Sequence, residues 1–396
     1  MLYISDCVPY DGIRHAGGKT LNYYVTSLVG DKNINIKIVG ISNETEWKEL
    51  TKKPSIDYRP VISKGSLTKN IIRCAMDCFG IFTFRKRYDQ SYYKIYHVLR
   101  GLKVLRQENY TPDVIILEWT KMVLLAQDVH NFFPKARLIA SEHDVSFQGA
   151  ERRYLRAKGW QRKRLKQKYE QLKRRELKAL DFCNVVMPQS EKDKNLLVQN
   201  GIPEQKIFVL TPYYHNMDYI KRDELNHDVL FWGAMYRKEN YQAALWFIEK
   251  VMPLLKDTDV RFVVAGNRPP KVLLDQANDR VLVTGFVKDE SDLFSHSMCF
   301  VSPLLLGAGI KVKVLEALSA GIPVLTNEIG IEGIPATKSI DYYHCSTAEE
   351  YAETIIGLID NHKEQARIAK EARKFMNGKF NLNEAAKDYK KMVLNV

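Results

Sequence analysis

The sequence predicts an α/β protein built from two Rossmann-like halves, and three observations carry that expectation. At 396 residues the chain is long enough for two domains, each with its own core. Short apolar runs recur and close on glycine, as at residues 229–232 before Gly233 and 261–265 before Gly266. The third observation is residues 300–334. An apolar run over 298–306 breaks at Gly307-Ala308-Gly309, and helical spacing follows at Ile310, Val314, Leu315 and Leu318. Gly321 stops that helix and residues 322–326 read as the next strand. Strand, glycine turn, helix, strand is a βαβ unit.

The N-terminal half opens with a strand over residues 2–5, a glycine-rich loop (Gly12, Gly17, Gly18), a helix from about Thr20 and a second strand over 33–40. Gly18-Lys19-Thr20 invites a P-loop reading, but that motif needs a glycine five residues before Gly18, where Ile13 stands. Residues 66–93 place Ile71, Ile72, Met76, Phe79, Ile81, Phe82 and Phe84 before Arg85-Lys86-Arg87. An apolar surface followed by cations reads as an interfacial segment touching lipid head groups, or as a helical insertion packed on its own domain. Strands over 112–119 and 136–141 follow, and the second runs into Glu142-His143-Asp144. A histidine at the carboxyl end of a parallel strand lies where ligands bind in such sheets.

Residues 151–178 hold 13 Lys and Arg against 3 Asp and Glu, without proline, and read as one long helix with a break near Gly159. A strand over 185–188, a capped helix after Ser190 and a strand over 207–210 complete the half. The polar run 215–228 reads as the interdomain linker. In the C-terminal half, strands at 229–232, 261–265 and 280–283 end at Gly233, Gly266 and Gly285, which defines one ligand edge. Asp257-Thr258-Asp259 resembles a metal-binding carboxylate triplet but precedes a strand, at the opposite edge, so no metal is required. The tail from Ala348 is helical, with a break expected around Asn377-Gly378.

The glycine turn at 307–309 lies between a strand's carboxyl end and a helix's amino end. Free backbone N–H groups and the positive end of the helix dipole meet there, which suits a phosphate. Lys311 and Lys313 oppose the dipole, so an anionic ligand explains them better than helix stability does. The alternative is a plain βαβ turn with solvated lysines.

Residues 307–324, GAGIKVKVLEALSAGIPV, resemble the donor-sugar motif of the family 4 (group 1) glycosyltransferases, in its glycine-lysine form. The similarity extends over roughly 229–334. It implies the GT-B fold: two Rossmann-like parallel-sheet domains facing across a cleft, here 1–213 and 214–379, with a C-terminal helix over 380–396 crossing back to the first. It implies a retaining transfer from a nucleotide-diphosphate sugar, without metal, in which the departing phosphate assists the acceptor hydroxyl. Glu316 matches the glutamate that holds the ribose hydroxyls, whereas the motif's usual first glutamate is replaced by Ala308. Gly233, Asn240, Gly266, Phe286, Val287, Gly307, Gly309 and Ile310 fall at the other donor contacts. Gly17 and Gly18 match the loop near the diphosphate, and His143 matches a histidine that approaches the sugar. The arginine and lysine usual after the first glycine loop of the second domain are missing, since their slots hold Ala234 and Glu239. Lys313, and secondarily Lys311, are expected to have taken over the diphosphate.

Charge adds the expected partners. Residues 1–213 hold 37 Lys and Arg against 22 Asp and Glu, a net of +15, while the remainder is at −2. That asymmetry points the N-terminal half at an anionic membrane surface or a lipid-linked glycan acceptor. No module of nucleic-acid recognition accompanies it. Six scattered cysteines indicate neither a disulfide framework nor a zinc site, and fit a reduced, cytoplasmic protein. MLYISD reads as a strand rather than a signal peptide, and no apolar run reaches membrane-spanning length. The expected place is therefore the inner face of the cell membrane, in surface polysaccharide assembly. Two rival readings stand beside this one: a nucleotide-sugar epimerase on the same fold, and a basic membrane- or nucleic-acid-binding protein with a degenerate donor site.

Overall fold

The computed structural model describes the chain except Arg14, Thr51, residues 83–90, Asp223 and Val396. It divides into two compact units, Met1–Tyr213 with Asn383–Val396, and Tyr214–Leu382.

The first unit is a six-stranded, wholly parallel sheet. Its strands are β1 (Leu2–Ser5), β2 (Ile36–Asn43), β3 (Ile56–Lys64), β4 (Val114–Glu118), β5 (Arg137–Glu142) and β6 (Val185–Pro188), in the order β3-β2-β1-β4-β5-β6. Buried apolar runs form its centre, β1 and β4, because both faces are covered, as a parallel sheet requires. Strand order reverses between β1 and β4, so the ligand edge of this unit lies where Ser5 and Glu118 end. The last helix, Leu382–Leu394, packs on this sheet. Tyr389 is buried with its hydroxyl 2.8 Å from that of Tyr3, and Lys390 pairs with Asp31 at 2.7 Å.

The second unit repeats the topology with β7 (Asn226–Trp232), β8 (Arg261–Ala265), β9 (Val281–Gly285), β10 (Ser297–Ser302), β11 (Val324–Thr326) and β12 (Tyr343–His344), in the order β12-β11-β10-β7-β8-β9. All pairs are parallel, and the switch point falls between β7 and β10. The motif helix between β10 and β11 spans Val312–Ala320 and ends on Gly321 at φ +68°, a left-handed cap that glycine adopts without strain.

Several expectations are corrected. The first helix starts at Ala16, so Gly17 and Gly18 lie in its first turn rather than in a loop. His15 caps it, its Nδ1 accepting the Gly18 N–H at 3.0 Å. Lys311 is the residue before the motif helix, not within its first turn. Residues 215–228 are no linker: Met217 and Ile220 are buried in the core of the second unit, and β7 already begins at Asn226. Residues 207–210 form no full strand, although the Phe208 and Leu210 N–H groups bond to the Val186 and Pro188 carbonyls of β6. The basic segment does break, into helices Ser146–Arg156 and Gly159–Phe182, with Gly159 at φ +56°. The tail breaks at Phe380 and Asn381, after a helix His362–Lys379 that runs through Gly378. Of the interfacial segment, residues 67–82 form a helix, while Phe84 and Arg85-Lys86-Arg87 lie outside the described residues.

Candidate functional site

In the second unit the site grows from three glycine closures. The Gly233 N–H bonds to the Ala265 carbonyl at 3.0 Å, and the Gly266 N–H to that of Gly285 at 2.9 Å. A Cβ on Gly266 would lie 1.6 Å from the Gly233 carbonyl oxygen, so no side chain fits and the backbones approach closely beyond the ends of β7 and β8. Helix Lys238–Lys250 starts just beyond. Its Asn240 is buried and folds back, the side-chain amide donating to the Ala234 carbonyl at 2.9 Å.

Lys313 reaches into this corner from the motif helix. Its ammonium donates to Asn240 Oδ1 at 2.7 Å and lies 4.4 Å from the centre of the Phe231 ring. A Cβ on Gly233 would be 3.3 Å from Nζ. Burial, and then the charges of Lys311 and Arg237, push its pKa down to about 7, with Glu239 and Glu316 opposing. Arg237 itself pairs with Glu239 at 2.8 Å. Lys311 is differently placed. Its ammonium lies 3.5 Å from the buried Glu332 carboxylate and donates to the Gly309 carbonyl. Glu332 was not foreseen, although its place just after β11, at the ligand edge, was the available signal. The two lysines are thus distinct: one meets a neutral amide, the other a carboxylate.

Glu316 is buried farther along the same helix, its Oε1 accepting from the His215 N–H at a long 3.4 Å. His215 Nδ1 lies 3.3 Å from Glu290. Gly307 and Gly309 take positive φ values of +140° and +68°, conformations that glycine tolerates. Ile310 and Val287 pack against the core, whereas Phe286 is 64% exposed.

In the first unit His143 follows β5 and is held on three sides. Its Nε2 is 2.8 Å from Glu118 and its ring stacks on Trp119 at 4.3 Å and 13°. Nδ1 faces the Gln189 amide nitrogen at 2.9 Å. That nitrogen can only donate, so Nδ1 carries the lone pair and Nε2–H donates to Glu118. Trp119 has φ +66°, a costly conformation for a bulky residue, at the carboxyl end of β4. Gly17 makes room for the stack, since a Cβ there would lie 3.0 Å from Trp119 and 3.2 Å from His143. Gly18 serves the helix start instead: its Cβ would meet Ile13 at 2.2 Å. Trp119 and Gln189 escaped the sequence reading, because neither type signals chemistry alone.

Behind His143 lies a buried acidic network. Glu142 accepts from Thr120 at 2.6 Å, and Thr120 contacts Ser146 at 2.7 Å. Glu176 accepts the Ser146 and Phe147 N–H groups at 2.8 and 2.9 Å. Burial, then Glu176, push Glu142 well above the carboxylate range, and burial pushes Glu176 up to about 8. Glu176 has two backbone donors, whereas among the described residues the other Glu142 oxygen has none, so Glu142 is the carboxyl that holds its proton the more firmly.

Residues 226–361 match the family described as Glycosyl transferases group 1. An uncharacterized 44.6 kDa protein in the cps region of Klebsiella pneumoniae is 27% identical over 176 residues, 42% of this chain; the alignment spans 45% of that relative's length. Among solved structures, Anabaena HepE in complex with UDP and glucose is similar over 100% of this chain and 99% of its own, with a TM-score of 0.68 and 13% identity. Sucrose-phosphate synthase from Thermosynechococcus elongatus covers 99% and 97%, with a TM-score of 0.71 and 12% identity. WaaG, a glycosyltransferase involved in lipopolysaccharide biosynthesis, covers 99% of each chain, with a TM-score of 0.66 and 12% identity. These likenesses show the GT-B fold along the whole chain, and the family match lies within the second unit.

Proposed function

We propose that this chain transfers a sugar from a nucleotide-diphosphate donor to an acceptor hydroxyl, with retention and without a metal, in the assembly of a surface polysaccharide. Lys313 carries the reading: a cation that donates to the neutral Asn240 amide beside Gly233, at the switch point between β7 and β10. Departure of a nucleoside diphosphate builds negative charge, and a cation already in place needs no reorganisation to meet it. The N-terminus of the motif helix adds its dipole, and Lys311, balanced by Glu332, supports the turn. Gly233, Gly266, Gly307, Ala308, Gly309 and Ile310 form the donor bed, with Asn240, Phe286 and Val287 at its margins.

His143 is assigned the polar contact to the reacting sugar. Both ring nitrogens are engaged, so a sugar hydroxyl would take the place of the Gln189 amide at Nδ1. The acceptor is proposed to be a lipid-linked glycan, reached at the inner membrane face through the basic first unit. Among the described residues no helix is long and apolar enough to cross a membrane. The likeness to WaaG, a glycosyltransferase involved in lipopolysaccharide biosynthesis, and the relative from a cps region favour the glycan context, and the UDP and glucose bound to HepE favour a nucleotide-sugar donor.

Glu316 is assigned the ribose hydroxyls; its carboxylate accepts a long bond from the His215 N–H. Glu316→Ala is expected to raise the donor KM through loss of a charge-assisted hydrogen bond, by about 1.5–3 kcal/mol, with a smaller change in kcat. Steady-state kinetics at varied donor concentration check this. An unchanged donor KM would remove Glu316 from the site.

A further inference from the structure

Helix Leu67–Phe82 is amphipathic in the wrong sense for a soluble surface. Thr68 and Lys69 are exposed, but three of its polar residues turn inward. Arg73 donates to the Ser63 carbonyl at 3.2 Å, Asn70 to that of Gly65 at 3.1 Å, and the Asp77 carboxylate accepts from Ser91 Oγ at 2.7 Å and the Tyr93 N–H at 3.0 Å. Its apolar residues turn outward: Leu67 is 77% exposed, Phe79 60%, Ile71 59% and Ile72 51%, with Cys74 and Cys78 exposed between them. Leu67, Ile71, Cys74 and Cys78 follow at spacings of four and three, one continuous stripe. A contiguous apolar stripe turned to water marks a surface where another body docks.

The fold indicates the cover. The helix is tied to the carboxyl end of β3 and to the start of the helix Tyr92–Gln107, which leads into β4. The hairpin of helices Ser146–Arg156 and Gly159–Phe182 leaves the same sheet edge, after β5. Glu176 binds the first turn of the shorter helix, and the stretch of the longer one before it is about 25 Å long, with Leu172 and Tyr169 packed on the core and the part nearer Gly159 exposed. Its elbow exposes Trp160 (75%) and Leu155 (53%) among Arg152, Arg153, Arg156, Lys158, Arg162, Lys163 and Arg164. Four strand spacings separate β3 from β5, roughly 19 Å. One edge thus carries an apolar stripe and, within that distance, the root of a cationic elbow that bears an exposed tryptophan.

We propose that the stripe of helix Leu67–Phe82 inserts into the acyl boundary of an anionic bilayer while the Trp160 elbow engages its head groups. This rests on, and deepens, the membrane contact proposed above. Charge selects the bilayer over a second copy of the chain. Pairing two stripes would bring together two units whose first 213 residues each carry a net +15, whereas anionic head groups complement them. The stripe would add salt-resistant attachment to the salt-sensitive attraction of the elbow.

Cys74 and Cys78 allow a direct test, because the other four cysteines are buried. The full chain, labelled there with a polarity-sensitive fluorophore, is mixed with vesicles of phosphatidylglycerol and phosphatidylcholine. A blue shift of the emission is expected. In flotation with unlabelled protein, Ile71→Asp with Phe79→Asp should lower vesicle binding at high salt by about tenfold or more, as loss of two buried apolar side chains implies. Charge reversal at Arg162, Lys163, Arg164 and Lys166 should act mainly at low salt. Both variants should keep the wild-type rate of hydrolysis of a soluble nucleotide sugar, which shows that they are folded. Vesicle binding without a blue shift would overturn insertion, and a wild type that ignores these vesicles at low salt would overturn the membrane contact altogether. A concentration-dependent dimer abolished by Ile71→Asp would overturn it in favour of a second copy. A chain that binds vesicles but turns over no nucleotide sugar would instead count against the transferase reading and leave insertion standing.

Discussion

Lys313→Met is expected to lower kcat by about 10²–10³ while the donor KM changes far less, because the charge this lysine meets grows in the transition state. Its geometry sets the expectation. Nζ is held 2.7 Å from Asn240, beside Gly233, where a Cβ would press on both side chains. Lys311→Met should behave differently. It would leave the buried Glu332 without its cation, so a loss of stability should exceed the loss in kcat, and Glu332→Gln added to it should restore part of the stability. The pH profile follows from the same site. With its pKa pushed down to about 7, Lys313 is largely charged below that pH and loses its proton above it. A bound diphosphate favours the charged form, so donor binding should take up a proton, and kcat/KM should fall as pH rises through 7. Lys313→Arg remains charged and should flatten that limb. Equal, small effects at Lys313 and Lys311, with a large loss at Arg237, would move the phosphates back to the first glycine loop.

Glu176→Ala is expected to destabilise the chain by about 3 kcal/mol, since it orphans the Ser146 and Phe147 N–H groups in a buried network. Glu142→Gln copies the protonated state and should cost little at pH 7. The two differ in pH dependence. The folded chain retains protons on this pair above the ordinary carboxylate value of 4.5, and Glu176 stays raised to about 8. The folded state therefore binds more protons than the unfolded one across that window, so stability is full below about 4.5 and declines as pH rises toward 8. Glu142→Gln should remove much of the decline. Thermal unfolding of the wild type and both variants from pH 4.5 to 8.5 checks this, and identical slopes would exclude the pair as its source.

How much could be read from residues alone differs by element. The βαβ unit around the motif helix was legible because its strand is wholly buried and Gly307, Gly309 and Gly321 punctuate it. Gly233 and Gly266 were legible for the same reason. β3 was not: it pairs only with β2 at the sheet's edge and contains Arg59 and Pro60, which blur the pattern of a buried strand. The place of Gly17 and Gly18 was misjudged because His15, a residue outside the usual capping set, starts the helix early. Lys313 stood out as a cation at a helix start, but its difference from Lys311 depends on Asn240 and Glu332, 73 residues before the one and 21 after the other. Contacts at such separations leave no local trace. The outward stripe of Leu67–Phe82 was visible as composition, while its direction needed the inward bonds of Arg73 and Asp77.

The most direct measurement is proton NMR of the full chain incubated with a panel of nucleotide-diphosphate sugars and no acceptor. One donor should be hydrolysed slowly to nucleoside diphosphate and free sugar. The sugar should first appear with the donor's anomeric configuration, and Lys313→Met should suppress the signal. A changed sugar, released without acceptor in the pattern of an epimerase, would contradict the account, as would inversion at the anomeric carbon or no turnover and no nucleotide binding across the panel.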